Sequence, residues 1–390
     1  PAPRPRPRMT AGAGAPDARR WPRSFFVLVP LGAAVIALLA VELALRLASP
    51  VPYAPEHNMV FDPDPDTGYR LRPGGVARFG NGARGVASGQ GFRSREVGPK
   101  GPGTFRILAV GDSFTEGAGV EAEEAWPQVV EGLLARSGPR RVEVVNAGVG
   151  GWDPFQYAQF FESRGLALEP DLVVVGFFVG NDAYSRFLTV ESLWTAVGGR
   201  RVTREAARRP SIRIAVFLQE HFHLARALRG RPPGFAPRRS CEDFSPWLLE
   251  AETDRLENHL KRSPEREARA RPNVDQVLRI RLFAQAKGVP VVVALFAEES
   301  QVHAALRARL LAGRDAGAYD FEMPQAMLRE MFAAEGVPVV DLLPDFRRDP
   351  RCLYMNDTHW NPAGHVLAAR VLADALLPLI APARGSAPAP

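Results

Sequence analysis

Four short stretches of the 390-residue chain carry the residue types that acyl transfer needs. Gly111-Asp112-Ser113-Phe114-Thr115 places a serine directly after the apolar run 105–110. Asn146-Ala-Gly-Val-Gly-Gly151 and Gly180-Asn181-Asp182 bring glycines and a side-chain amide. Asn356-Asp357-Thr358-His359-Trp360 sets an acid two residues before a histidine. A serine hydroxyl is a weak nucleophile and needs a base within hydrogen-bond reach. His359 can take its proton, and Asp357 can hold the other imidazole nitrogen and fix its tautomer. The oxyanion that forms needs donors already aimed at it. The candidates are the backbone N–H groups of Ser113 and Gly151 and the amide of Asn181.

Taken singly, each stretch has a plainer reading. Ser113 can be a turn serine, Asn181-Asp182 a helix cap, and His359 one histidine among seven. Other chemistries fit worse. The Gly148-Val-Gly150-Gly151 loop lacks the spacing of a dinucleotide fingerprint, and no Gly-Lys-Ser/Thr phosphate loop occurs. His221 and His223, spaced i, i+2 on an expected helix, point apart and make a poor metal pair. Asp62, Asp64 and Asp66 alternate with prolines and match no calcium loop, so they read as a solvated turn. Glu298-Glu299 reads as a loop start with solvated carboxylates. No cofactor-binding or metal-binding residue is expected.

What unites the four stretches is where they fall. Apolar runs expected as strands span 105–110, 142–146, 171–179, 289–296 and 337–342. Helical patterns at 123–136, 154–166, 266–287, 301–313 and 323–335 fill the intervals, and Asn361-Pro362 opens a last helix to about residue 377. Strands alternating with helices imply a parallel sheet. In such a sheet, loops that follow strand ends lie on one edge, where α/β proteins bind ligands. Three of the four stretches follow a strand end, and the fourth lies between the last strand and the last helix. They converge although hundreds of residues apart. Residues 183–265 are too long for a simple crossover and read as a lid-like insertion or substrate wall.

With these motifs in this order, residues 105–380 resemble the SGNH (GDSL-like) hydrolase superfamily. Gly-Asp-Ser113 is similar to its nucleophile block, Asn146–Gly151 to its second block, and Gly180-Asn181-Asp182 to its third. Asp357-Thr358-His359-Trp-Asn-Pro is similar to the last. The resemblance implies a flavodoxin-like α/β/α sandwich on a five-stranded parallel sheet, with Ser113, His359 and an acid as triad and no cofactor. One departure stands out. Many members place the acid three residues before the histidine, where this chain has Asn356. The available acid is Asp357, a spacing similar to that of alginate O-acetyltransferases of this type. The anchor described below and the segment Gly91-Phe92-Arg93 also resemble membrane-anchored bacterial members.

The rest of the composition sets the surroundings. The chain carries a formal net charge of +6, but residues 1–24 hold six arginines against Asp17 alone. The basic signal therefore belongs to a short disordered tail, and no nucleic-acid partner is expected. Residues 25–48 begin with seventeen uncharged residues, and Glu42 and Arg46 are spaced to pair. They read as a transmembrane anchor. Arginines on the preceding side predict that everything after it lies outside the cytoplasm. A cleaved signal peptide is the alternative. Residues 49–104 read as a linker or cap segment, and 381–390 as a disordered tail. Cys241 and Cys352 read as unpaired thiols, or as one disulfide if the domain is extracytoplasmic.

The expectation is thus a membrane-anchored serine esterase acting through an acyl-enzyme on small acyl esters of a cell-envelope carbohydrate. Its alternatives are an O-acyltransferase acting on exopolysaccharide and a catalytically silent carbohydrate-binding scaffold. The oligomeric state has no sequence signal.

Overall fold

The computed structural model describes residues 22–48, 59–137, 140–184, 187, 189–229, 238 and 240–380. The expected tails at 1–24 and 381–390 lie almost wholly outside these. The chain divides into two compact units. In the first, helix α1 (Phe25–Ala48) keeps its apolar side chains exposed almost all round. Its one buried side chain, Glu42, accepts from Arg46 Nε at 2.7 Å and from the backbone N–H groups of His223 and Leu224 at 2.9 and 2.8 Å. It thereby satisfies two orphan donors of the short helix His223–Arg229.

The second unit is built on five parallel strands: β1 (Thr104–Gly111), β2 (Arg141–Asn146), β3 (Leu172–Phe178), β4 (Val291–Phe296) and β5 (Val339–Asp341). Their order is β5-β4-β3-β1-β2, the flavodoxin-like arrangement. All residues of β1, β3 and β4 are buried. Strands covered on both faces read as unbroken apolar runs, which made them visible in the sequence. Alternate residues serve opposite layers. Ile107, Ala109, Val174 and Ala294 face α2 (Trp126–Ser137) and α6 (Pro362–Ile380). Leu108, Val110, Val173, Val175 and Val293 face α3 (Pro154–Phe160), α4 (Pro264–Gln285) and α5 (Met323–Ala334). The expected helix 154–166 is helical only to Phe160, followed by a π turn at Phe161–Gly165. Among the described residues, α1 and α6 are long and apolar enough to cross a membrane. However, α6 buries Ala368, Leu372 and Leu376 in the core.

The segment before β1 is more structured than its composition suggests. Phe61–Asp64 pairs with Gly68–Leu71, and Val76–Arg78 with Arg84–Val86, as antiparallel hairpins. Met59, Phe61, Tyr69 and Leu71 join the core beside α3. Asp64, expected in solvent, is instead buried. It accepts from Thr67 N–H and Oγ1 at 3.0 and 2.9 Å and pairs with Arg164 at 2.7 Å. Arg93, of the Gly-Phe-Arg segment, is fully buried and donates to the carbonyls of Gly117 and Val120 at 3.3 and 2.5 Å. It fastens the loop that follows Ser113.

The insertion is partly helical and includes the hairpin Thr195–Val197/Arg200–Val202 and the helix Pro246–Arg255. Cys241 and Cys352 are not free thiols: they form a disulfide across a Cα–Cα distance of 5.3 Å. The bond ties the insertion to the chain just before Asp357 and His359.

Candidate active site

Strand β1 ends at Gly111, and the chain turns at once into the four-residue helix Ser113–Glu116. Asp112 caps it by accepting from Phe114 N–H at 2.9 Å. Ser113 therefore stands at the first helical position, above the carboxyl end of β1, the strand between β3 and β2.

The second strand-end loop meets it from the side. Gly150 donates its N–H to Glu116 Oε2 at 2.5 Å, while its carbonyl accepts from Tyr69 OH at 3.1 Å and Arg201 Nη1 at 2.6 Å. A trans peptide points its C=O and the following N–H in opposite directions. Pinning the Gly150 carbonyl therefore also fixes the direction of the Gly151 N–H. Gly151 has φ of +77°, and a Cβ there would strike Arg201 Nη1, so the position requires glycine on both counts.

The third loop supplies Asn181, whose Nδ2 donates to Asp112 Oδ2 at 3.0 Å. One amide hydrogen is thus committed and the amide plane is set. Asp182 turns inward and accepts from Tyr157 OH and Phe178 N–H, both at 3.0 Å. Burial pushes the Asp182 carboxyl well above the usual carboxylate range. Burial also raises Asp112, opposed by the Phe114 and Asn181 hydrogen bonds.

The last loop closes the set. His359 Nε2 lies 2.8 Å from Ser113 Oγ, and its Nδ1 lies 3.1 Å from Asp357 Oδ2. Asp357 Oδ1 also accepts the His359 N–H at 3.2 Å. Two features fold this loop tightly enough for a two-residue spacing to work. Met355 N–H donates to the His359 carbonyl at 2.7 Å, and Thr358 between acid and base has φ of +79°. A left-handed conformation is costly for a β-branched residue. The surrounding packing holds it: Trp360 is fully buried against Phe114, Phe296 and Phe346. Asn356, at the spacing many relatives use, points elsewhere: its Oδ1 accepts from Ser245 N–H at 2.8 Å. Burial alone lowers the His359 pKa, but the Asp357 charge and hydrogen bond outweigh it, and the imidazole lies above its ordinary value.

All five expected site residues thus meet at one edge of the sheet. Ser113, Gly151, Asn181 and His359 line a cavity of about 410 Å³, and Asp357 lies behind the histidine. The insertion completes the wall with Arg201, Asp254 and Arg255, none of which any motif singled out. Asp112 stood inside the serine motif, but only the fold gives it Asn181 as partner. Glu298 and Glu299 are not solvated. Glu298 meets His259 Nε2 at 2.8 Å and Asn258 Nδ2 at 3.2 Å, and Glu299 pairs with Arg238, which also holds the Met355 carbonyl. Asn258 also donates to the Gly180 carbonyl at 3.1 Å, tying the insertion to the Asn181 loop. His221 and His223 engage separate partners, the Phe217 carbonyl and Glu42.

The GDSL-like Lipase/Acylhydrolase family model matches residues 109–367. A comparison with curated proteins found no match. Among solved structures, the chain is similar to the lipase/acylhydrolase from Enterococcus faecalis, with 15% identity, 72% of this chain and 100% of that chain covered, and a TM-score of 0.37. It is similar to an acetyl xylan esterase, AlAXEase, with 15% identity, 70% and 100% coverage and a TM-score of 0.37. It is also similar to TesA, with 14% identity, 70% and 99% coverage and a TM-score of 0.36.

Proposed function

The chain belongs to the GDSL-like lipase/acylhydrolase family and is an ester-hydrolysing enzyme; from that premise we propose that it is a serine esterase whose nucleophile is Ser113. The observation that carries this reading is the unbroken hydrogen-bonded line from Asp357 through His359 to Ser113 at a cavity wall. Ser113 Oγ attacks the ester carbonyl carbon as its proton passes to His359 Nε2. Asp357 stabilises the imidazolium. The carbonyl oxygen, now negative, is met by the N–H groups of Ser113 and Gly151 and by the second amide hydrogen of Asn181. The imidazolium protonates the departing alcohol, which leaves an acyl-serine. His359 then activates a water that releases the acid and restores the hydroxyl. We take the substrates to be small acyl esters, acetyl foremost, on a cell-envelope carbohydrate.

The test is turnover of p-nitrophenyl acetate by the whole protein across pH. His359 must be neutral to accept the proton, and its pKa is raised. The kcat/KM is therefore expected to fall on the acid side with a midpoint above about 6.5, the ordinary histidine value. Absence of turnover at every pH, or an acid limb below that value, would contradict the role given to His359.

We further place the catalytic unit outside the cytoplasm, held by α1. The arginines that precede α1 and the Cys241–Cys352 disulfide support this. Protein isolated from its membrane under non-reducing conditions should take up no thiol-alkylating reagent until reduced, and then two equivalents. Uptake of two equivalents before reduction would sink the placement.

A further inference from the structure

The insertion brings two guanidinium groups to the cavity beside Ser113. They are not equivalent. Arg201 is committed: it donates to the Gly150 carbonyl and lies over the Phe61 ring at 4.9 Å. Arg255 is not. It lies 5.4 Å from the Phe178 ring centroid and, among the described residues, makes one hydrogen bond, Nη1 to Glu252 Oε1 at 3.2 Å. Its side chain is one-quarter exposed, so it is partly stripped of water yet open to the cavity. A guanidinium placed over a ring can still offer its remaining N–H groups, and two of them match a carboxylate in bidentate fashion.

The nearby acids answer this charge only in part: Glu252 pairs with Nη1 at 3.2 Å, and buried Glu298, which feels the Arg255 charge, is spent on His259 and Asn258. Asp357 is spent on His359, and Asp112 on Phe114 N–H and Asn181. Glu252 is fully buried, and burial pushes its carboxyl up toward the neutral form. Asp254 is exposed at the cavity wall. Arg255 is also near enough for its charge to act on both His359 and Asp112. With a neutral ester, Arg255 would keep only its Glu252 contact on Nη1, and its other N–H groups would have no protein hydrogen-bond partner among the described residues.

We propose that Arg255 receives a carboxylate carried by the ester substrate, so that this esterase prefers anionic esters. The inference rests on Ser113 being the nucleophile. It deepens that reading by naming the substrate's charge. The carboxylate can sit on the acyl part or on the alcohol part, and two matched pairs separate these. The first pair is p-nitrophenyl hydrogen succinate against its methyl ester. The second is 4-acetoxybenzoate against its methyl ester.

With the whole protein at low salt, kcat/KM for the carboxylate member is expected to exceed that of its neutral partner by about tenfold in at least one pair. The ratio should shrink as salt is raised. Arg255→Gln should bring it to about one, and Arg255→Lys should keep part of it. Ratios of one or less in both pairs, or a ratio unchanged in Arg255→Gln, would overturn the proposal. If Arg255→Gln does not fold, the wild-type ratio and its salt dependence decide. A Ser113→Ala variant that turns over the neutral esters at the wild-type rate would instead sink the nucleophile assignment, whatever the ratios.

Discussion

Replacing Ser113 with alanine is expected to lower kcat on an ester reporter by about 10⁴- to 10⁶-fold, the range found when the nucleophile of a triad acting as a unit is deleted. The size follows from the site's arrangement. Among the described residues, no second hydroxyl lines the cavity. Thr115 Oγ1 is buried beneath the turn, where it would meet a Cβ at Gly111 or Gly176. Ser300 Oγ is buried beside Glu298 and His259, away from the cavity lining. What survives is transition-state binding by the oxyanion donors, worth about 10³- to 10⁴-fold over water. The fold should not change, because the Ser113 hydroxyl has His359 as its partner and no core role. Initial rates measured beside a thermal melt check this: equal rates for variant and wild type would remove Ser113 as nucleophile.

Asp357→Asn should be the next most damaging change, lowering kcat by about 10⁴-fold while Asn356→Ala costs less than about tenfold. In the proposed triad, Asp357 Oδ2, 3.1 Å from His359 Nδ1, receives the Nδ1 proton and so keeps Nε2 free to accept from Ser113. An amide in its place can present an N–H to Nδ1, which stabilises the wrong tautomer. It also removes the charge that raises the imidazole, so the remaining activity should show its acid limb at lower pH. Asn356 instead binds Ser245, which opens the insertion helix Pro246–Arg255. Its loss removes one hydrogen bond, about 1 kcal/mol of stability, and loosens that helix without touching the histidine. Kinetics of the two variants over a pH series separate the roles, and the reverse order of damage would mean the acid is misassigned.

Why these assignments were visible in the chain at all is a matter of burial and locality. β1, β3 and β4 are covered on both faces, so each is an apolar run, interrupted in β1 only by Arg106, which pairs with Glu143, and the ends of such runs marked the candidate site loops. β5 was less sharp: expected at 337–342, it pairs only over Val339–Asp341, half-buried at the sheet edge. The hairpins at 61–86 left no pattern, because strands of three or four residues rich in Pro, Asp and Gly show no period. Their role depends on distant partners, such as Tyr69 OH on the Gly150 carbonyl. The same holds for charged residues. Glu298 and Glu299 look like a polar loop until His259 and Arg238 fold onto them. Arg201 and Arg255 are two of 49 basic residues, and nothing local marks them as the pair that reaches the cavity. The Asp357–His359 spacing was legible, but the left-handed Thr358 that makes it work was not, since β-branched residues rarely adopt that conformation.

The claim on which the account depends is that His359 activates Ser113, and covalent labelling addresses it most directly. The whole protein, treated with a fluorophosphonate, should gain the mass of one adduct, with the modified peptide containing Ser113. His359→Ala should label far more slowly and Ser113→Ala not at all. An adduct on another residue, or undiminished labelling of Ser113→Ala, would contradict it.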